Sequence, residues 1–367
     1  MTPTRPLDIV IFGLSITSAW GNGHATTYRA LTRALHRRGH RVRFFERDRP
    51  WYAEHRDLAA PAYCPVTLYA RIEDLHEHLR DIEGADVVLV GSYVPDGRQV
   101  IEWLLPRVAG LTAFYDIDTP VTVAKLANGT CDYLDATLVP RFDLYLSFAG
   151  GPVLERLHNE WGAARPKPFY CSVEPREYFP THGAVKSYDL GYLGTYSADR
   201  QPALEQLLLE PARQWSDGAF CVAGAQYPES LRWPENVRRT EHLAPDKHRG
   251  FYNAQRFTLN VTRADMVANG YSPSVRLFEA AACGVPIITD HWPGLHEFFS
   301  PGREILVART SDEVLDYLRE LDLRELQQIG SLGRERVLAQ HTADHRAQEF
   351  EAHVYDLLIP APRAISL

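Results

Sequence analysis

The sequence predicts an α/β protein of two Rossmann-like, doubly wound domains facing each other across a cleft. Three observations predict it. Short apolar runs alternate with amphipathic helical stretches almost from end to end, the rhythm of parallel sheets covered on both faces. A polar break with Pro and Gly, EPREYFPTHGAVKSY at 174–188, interrupts that rhythm once, as a linker would. At 367 residues the chain suits two cores better than one.

The elements follow in order. Residues 7–13 read as a buried strand, a glycine-bearing loop follows, and a helix spans about 24–38. Gly39 ends that helix before the strand HRVRFFE at 40–46, completing a βαβ unit. ADVVLVGSY (85–93), LTAFYDID (111–118), FDLYLSFA (142–149) and PFYCSV (168–173) read as further strands, with helices between them at RQVIEWLLPRV, PVTVAKLAN and PVLERLHNEW. After the break a second set begins with YDLGYLG (188–194) and continues through AFCVAGA (219–225) and FTLNVTR (257–263). SVRLFEAAAC (274–283) has a helical apolar stripe of Leu277, Phe278, Ala281 and Ala282. Gly284 suits its C-terminal cap, Pro286 stops it, and Ile287, Ile288 and Thr289 make the next strand. REILVAR (303–309) reads as another strand, followed by helices over roughly 311–358. The expected division is 1–174, 175–344, and a last helix, 345–367, returning to the first domain.

Composition excludes several classes. A net charge of −8 without a long basic run gives no support to nucleic-acid binding. The five cysteines, at 64, 131, 171, 221 and 283, form no CxxC and no zinc spacing. A reduced, cytoplasmic protein is expected. MTPTRPLDIVIFG is too quickly broken for a signal sequence, and no apolar run approaches a membrane span. The loop SITSAWGNGHATTYRAL lacks the GxGxxG spacing, so a nicotinamide fingerprint is unsupported.

The most informative stretch is YSPSVRLFEAAACGVPIITD (271–290), where Glu279 is a lone carboxylate among small apolar residues. Arg276 lies three residues earlier on the same helical face, so a solvated ion pair is one reading.

The whole of this segment, continued by PGLHEFFSPGREILVARTSDEVLDYL, resembles a GT-B glycosyltransferase, nearest the CgeB-like branch related to glycosyltransferase families 1 and 4. RALHRRGHRVRFFE and YDIDTPVT support the resemblance, which covers nearly the whole chain. It implies that Glu279 accepts hydrogen bonds from the ribose hydroxyls of a nucleotide-sugar donor, UDP first. A carboxylate is acceptor-only and can take two hydroxyls at once. It also implies no metal and no cofactor, the nucleotide-sugar being a substrate, and a small-molecule or glycan acceptor. The retaining families carry a second Glu eight residues earlier, where this chain has Tyr271. That leaves the stereochemistry open.

Further candidates follow. In YLGTYSADR (192–200), Tyr196 and Arg200 lie in the loop that the resemblance places against the pyrophosphate; Arg263, Arg276 and Ser274 join them. A forked cation can stabilise a departing diphosphate without metal; a surface salt bridge is the plainer reading of each arginine. His242 and Leu243 fall where related enzymes hold the base. In the first domain Gly21, Asn22 and Gly23 permit close backbone approach. His24 is either a helix cap or a general base suited by titration near neutrality. Asp116 and Asp118 point to one side of a strand end, and Asp118 either caps the helix after it or works in the site. A meeting of His24 and Asp118 would let the carboxylate orient the imidazole. A non-hydrolysing sugar-nucleotide 2-epimerase and a two-domain binding protein are the alternatives.

Overall fold

The computed structural model describes residues 5–358. The chain divides into two compact units, one of residues 1–170 and 343–367 and one of residues 171–342.

The first unit is built on a seven-stranded parallel sheet: β1 (Asp8–Gly13), β2 (Arg41–Arg47), β3 (Val66–Tyr69), β4 (Val87–Gly91), β5 (Leu111–Asp116), β6 (Leu144–Ser147) and β7 (Pro166–Pro168). The order across the sheet is β3-β2-β1-β4-β5-β6-β7. The chain therefore winds outward from β1 in one direction, then restarts at β4 and winds in the other. β1 is paired on both sides, Ile11 facing Phe44 of β2 and Leu89 of β4. Its residues 9–12 are fully buried, which is why this strand reads as a continuous apolar run. Helix Gly23–Arg37 lies close over β1 and β4, close enough that a Cβ on Gly91 would strike the Tyr28 hydroxyl and one on Gly13 would meet the Tyr28 ring at 3.0 Å. The last helix, Ala343–Leu358, buries Ala347, Phe350 and Val354 within this unit, and its Glu351 pairs with Arg38 and His40.

The second unit has a six-stranded parallel sheet: β8 (Tyr188–Leu193), β9 (Phe220–Ala223), β10 (Val237–Thr240), β11 (Gln255–Asn260), β12 (Ile287–Thr289) and β13 (Leu306–Val307). Its order is β10-β9-β8-β11-β12-β13, the same outward-then-return winding. The core holds Leu190, Tyr192, Val222, Phe257, Leu259 and Ile288.

Several expected elements shift. The stretch 168–173 is not a strand; β7 lies at Pro166–Pro168 instead. Two prolines in three residues hid it, yet they fit an edge. The neighbours Arg165 and Phe169 make the ladder bonds to Tyr145 and Ser147, so the prolines, on the alternate positions, turn their missing donors away from the sheet. Strand β10 (VRRT) carries too few apolar residues to be read, β3 (VTLY) is only four residues long, and the strand expected over 303–309 is only Leu306–Val307.

Candidate active site

In open α/β sheets the carboxyl ends of the strands flanking the point where winding reverses form a crevice for ligands. In the second unit those strands are β8 and β11. The loop after β8 carries Tyr196 and Arg200; the loop after β11 carries Arg263. Helix Val275–Ala282 brings Arg276, whose guanidinium lies over the Tyr192 ring of β8 at 5.7 Å. The structure thus gathers Arg200, Arg263 and Arg276. Arg200 is drawn below the ordinary arginine range, by burial first and then by the Arg276 and Arg263 charges. Arg200 donates to the Thr195 carbonyl at 2.6 Å, and Arg276 to the Val261 carbonyl at 3.4 Å. Among the described residues neither of these two meets a carboxylate in an ion pair, and the Nε of each is buried with no partner. Buried donors of this kind call for an acceptor.

Two carboxylates shape the loops. Asp199 accepts from the Ala264 amide at 2.9 Å, tying the loop after β8 to the loop after β11. Asp290, at the end of β12, accepts from the Thr262 amide and hydroxyl, the latter at 2.7 Å. Ser274 is the N-cap residue of helix Val275–Ala282, but its side chain caps nothing. Gly270 and Tyr271 both have positive φ, 66° and 49°. A tyrosine in this region is strained, and a Cβ on Gly294 would strike its ring. Tyr196 stands edge-on to Tyr227 at 5.6 Å. The Arg239 guanidinium lies over both the Tyr227 and the Trp233 rings, at 4.4 and 4.1 Å. His242 is exposed, and the Leu243 carbonyl receives His248 Nε2 at 3.1 Å.

Glu279 is 3% exposed, so it is not on a solvated face, and its helix neighbour Arg276 turns to the Val261 carbonyl. The Tyr252 hydroxyl donates to Glu279 Oε2 at 3.0 Å, and the Tyr178 hydroxyl also donates to the carboxylate. Tyr178 in turn meets His248 Nδ1 at 3.4 Å. Burial raises the Glu279 carboxyl above its ordinary range, opposed by His248, the two tyrosines and Arg276. Tyr178, His248 and Tyr252 escaped the sequence reading because they come from distant segments.

In the first unit the reversal falls between β1 and β4. The loop after β1 is held by Glu46, at the end of β2 and fully buried. Glu46 accepts from the Ile16 and Thr17 amides at 2.7 and 3.0 Å and from the Thr17 hydroxyl at 2.6 Å. A lone acid closing the apolar run RFFE was the available signal. Gly21 has φ 59°, and Gly23 opens the helix. The cap is Asn22, not His24: Asn22 Oδ1 accepts from the His24 amide at 3.0 Å.

His24 and Asp118 do not pair directly. Tyr93, which follows β4 and has φ 61°, stands between them. Its ring is edge-on to the imidazole at 5.3 Å, and its hydroxyl donates to Asp118 Oδ2 at 3.2 Å. Asp118 occupies the N-cap position of helix Thr119–Ala127, but its side chain makes no capping bond. Burial lowers the His24 imidazole to about 4, so it does not titrate near neutrality as expected. Asp116 is wholly buried below this cluster and accepts from the Tyr145 and Thr122 hydroxyls, each at 2.6 Å. Burial, aided by the Asp118 charge, raises it to about 6. Among the described residues no three His, Cys, Asp or Glu side chains gather to hold a metal ion, and no helix is long and apolar enough to cross a membrane.

Residues 200–352 match the family described as glycosyl transferase-like. Solved structures align along almost the whole chain. A sucrose-phosphate synthase from Thermosynechococcus elongatus is 15% identical, with TM-score 0.69 over 96% of this chain and 99% of that one. Anabaena HepE, solved with UDP and glucose, is 11% identical, with TM-score 0.70 over 95% and 100%. An α-glucosyltransferase solved with UDP-glucose and DNA is 11% identical, with TM-score 0.69 over 95% and 100%.

The fold is GT-B.

No curated protein matches the sequence. Within this GT-B chain the profile match takes in Arg200, Arg263, Arg276 and Glu279 together.

Proposed function

We propose that this GT-B protein is a glycosyltransferase. It moves a sugar from a nucleoside diphosphate sugar, UDP-sugar first, to a hydroxyl acceptor, with the donor held by the second unit and the acceptor by the first. The observation that carries the reading is the cluster at the β8/β11 reversal. Arg200 and Arg276 have buried Nε donors and no carboxylate, and Glu279 sits on the same helix as Arg276.

The chemistry follows from the residue types. Two guanidiniums that make no ion pair among the described residues suit a diphosphate and supply the charge that a leaving nucleoside diphosphate needs, so no metal is required. Glu279 has four lone-pair positions, two of them engaged by Tyr252 and Tyr178, and keeps capacity for the ribose hydroxyls. The similar folds solved with UDP or UDP-glucose support UDP as the base to try first. In the first unit His24 is neutral at physiological pH, with Nδ1 unpartnered, and it can accept a proton from the acceptor hydroxyl. Asp118, reached through Tyr93, stabilises the resulting cation.

The test is a thermal-shift screen with UDP, dTDP, GDP and NAD, since a ligand at a hundred times its Kd adds about 2.7 kcal/mol. A uridine or other nucleoside diphosphate should raise the melting temperature. A response to NAD alone, or to none, would refute the reading. With the responding donor, label appearing on an added acceptor distinguishes transfer from epimerisation of the free nucleotide-sugar.

A further inference from the structure

A cavity of about 420 Å³ opens in the first unit, lined by Arg49, Tyr93, Val94, Pro95, Asp96, Arg98, Gln99 and Asp132. Its size falls in the range of small-molecule sites, about 300–1,000 Å³. It lies past the carboxyl ends of β2 and β4, and it shares Tyr93 with the His24 and Asp118 cluster.

The arginines and aspartates around it are unevenly paired. Arg47 and Arg49 both reach the same oxygen, Asp96 Oδ2, at 3.1 and 3.0 Å. One carboxylate thus serves two guanidiniums. Arg47 keeps Nε and Nη1 buried without a partner. Arg98 holds the Cys131 carbonyl, leaves Nε unpartnered, and stands 3.9 Å from Asp135, beyond hydrogen-bond distance. Asp132, on the same wall, is largely exposed and 3.6 Å from Lys125. The cavity therefore offers the guanidiniums Arg49 and Arg98, the latter with a buried unpartnered Nε, beside the carboxylates Asp96 and Asp132 and the Gln99 amide. Guanidinium forks select carboxylate and phosphate oxygens. Carboxylates and amides select hydroxyls.

We infer that the acceptor of the proposed transfer is a hydroxylated molecule bearing an oxyanion, an acidic or phosphorylated sugar, whose anionic group is held by Arg49 and Arg98. This rests on the glycosyltransferase reading. Tyr93 joins the cavity to the base cluster, so a ligand anchored by its anion can present a hydroxyl towards His24.

The experiment uses the full chain and three probes without donor: glucuronate, glucose 6-phosphate and glucose, titrated by ligand-observed NMR, with UDP titrated on the same samples. At least one oxyanion probe should bind roughly tenfold or more tightly than glucose, and Arg49→Gln should weaken it by a similar factor, while leaving glucose unaffected. Arg49 is 43% exposed, so this variant should fold; Arg98→Gln provides a second reading. Preference for glucuronate or for glucose 6-phosphate tells carboxylate from phosphate. The inference is overturned if neither oxyanion probe outbinds glucose, or if both variants bind as the parent does. If UDP binds normally in that case, only the acceptor assignment fails. If an oxyanion probe binds through Arg49 but no nucleotide binds, the cavity stands and the donor reading fails.

Discussion

Replacing Glu279 with Gln tests the donor reading most directly. Glutamine keeps the length and one acceptor oxygen for Tyr252 and Tyr178, the two hydroxyls that now bond the carboxylate. Alanine would leave both hydroxyls unsatisfied in a buried place, at about 1–3 kcal/mol each, and would confuse folding with binding. What glutamine removes is the charge and the second acceptor oxygen. A hydrogen bond to a charged group is worth about 1.5–3 kcal/mol, so UDP should bind roughly 10- to 100-fold more weakly. Calorimetric titration with UDP and with 2′-deoxy-UDP isolates the contact. The parent should prefer UDP by about tenfold, if the 2′-hydroxyl bond contributes about 1.4 kcal/mol, and Glu279→Gln should bind the two ligands alike. Equal discrimination by parent and variant would refute the assignment of Glu279 to the ribose, whatever happens to the overall affinity.

Three further outcomes are expected. Turnover with the responding donor should survive EDTA; activity lost to chelator and restored by Mn²⁺ or Mg²⁺ would displace the arginines as the charge-bearing groups. His24→Ala should lower kcat by roughly 10²–10⁴-fold with nucleotide affinity unchanged; because burial lowers the parent imidazole to about 4, its base limb in kcat/KM should lie near that pH, and a limb near 6.5 would contradict the buried setting. Asp116 is raised to about 6 from 3.8, so its contribution to stability is fully present below about pH 4 and is lost as pH rises through 6, to the extent of about 3 kcal/mol; Asp116→Asn should flatten denaturant stability between about pH 4 and 7, and an unaltered pH dependence would show that Asp116 is not the titrating group.

The strands that can be read in the sequence are those whose two faces are both covered. β1, β4 and β5 are mostly apolar runs because each has a strand on either side. β3, β7 and β10 are edges, and an edge strand is free to carry Pro166, Pro168, Arg238 and Arg239, which mask the pattern. The site shows a similar divide. Glu279 stood out because a carboxylate is anomalous among Leu277, Phe278 and Ala280–Ala282. Its partners Tyr178 and Tyr252 are unremarkable as sequence, since a buried tyrosine in an apolar stretch is ordinary until its hydroxyl is seen to have a destination. The His24–Asp118 pairing had the right sheet edge but missed Tyr93, whose backbone turns at φ 61° in a way that no pattern of apolar residues reports.

The first unit is assembled from two stretches of chain separated by the whole of the second, residues 171–342. On a ribosome adding about 5–20 residues each second, those 172 positions delay helix Ala343–Leu358 by roughly 10–35 s after Tyr170 is made. During that interval β1 to β7 exist without the helix that buries Phe350 and Val354 and supplies Glu351 to Arg38 and His40. The second unit has all of its strands in hand before the first can finish. A nascent chain halted before residue 343 would therefore hold the strands of both sheets, with the first lacking its covering helix, and protease sensitivity of such stalled chains should concentrate in the first 170 residues.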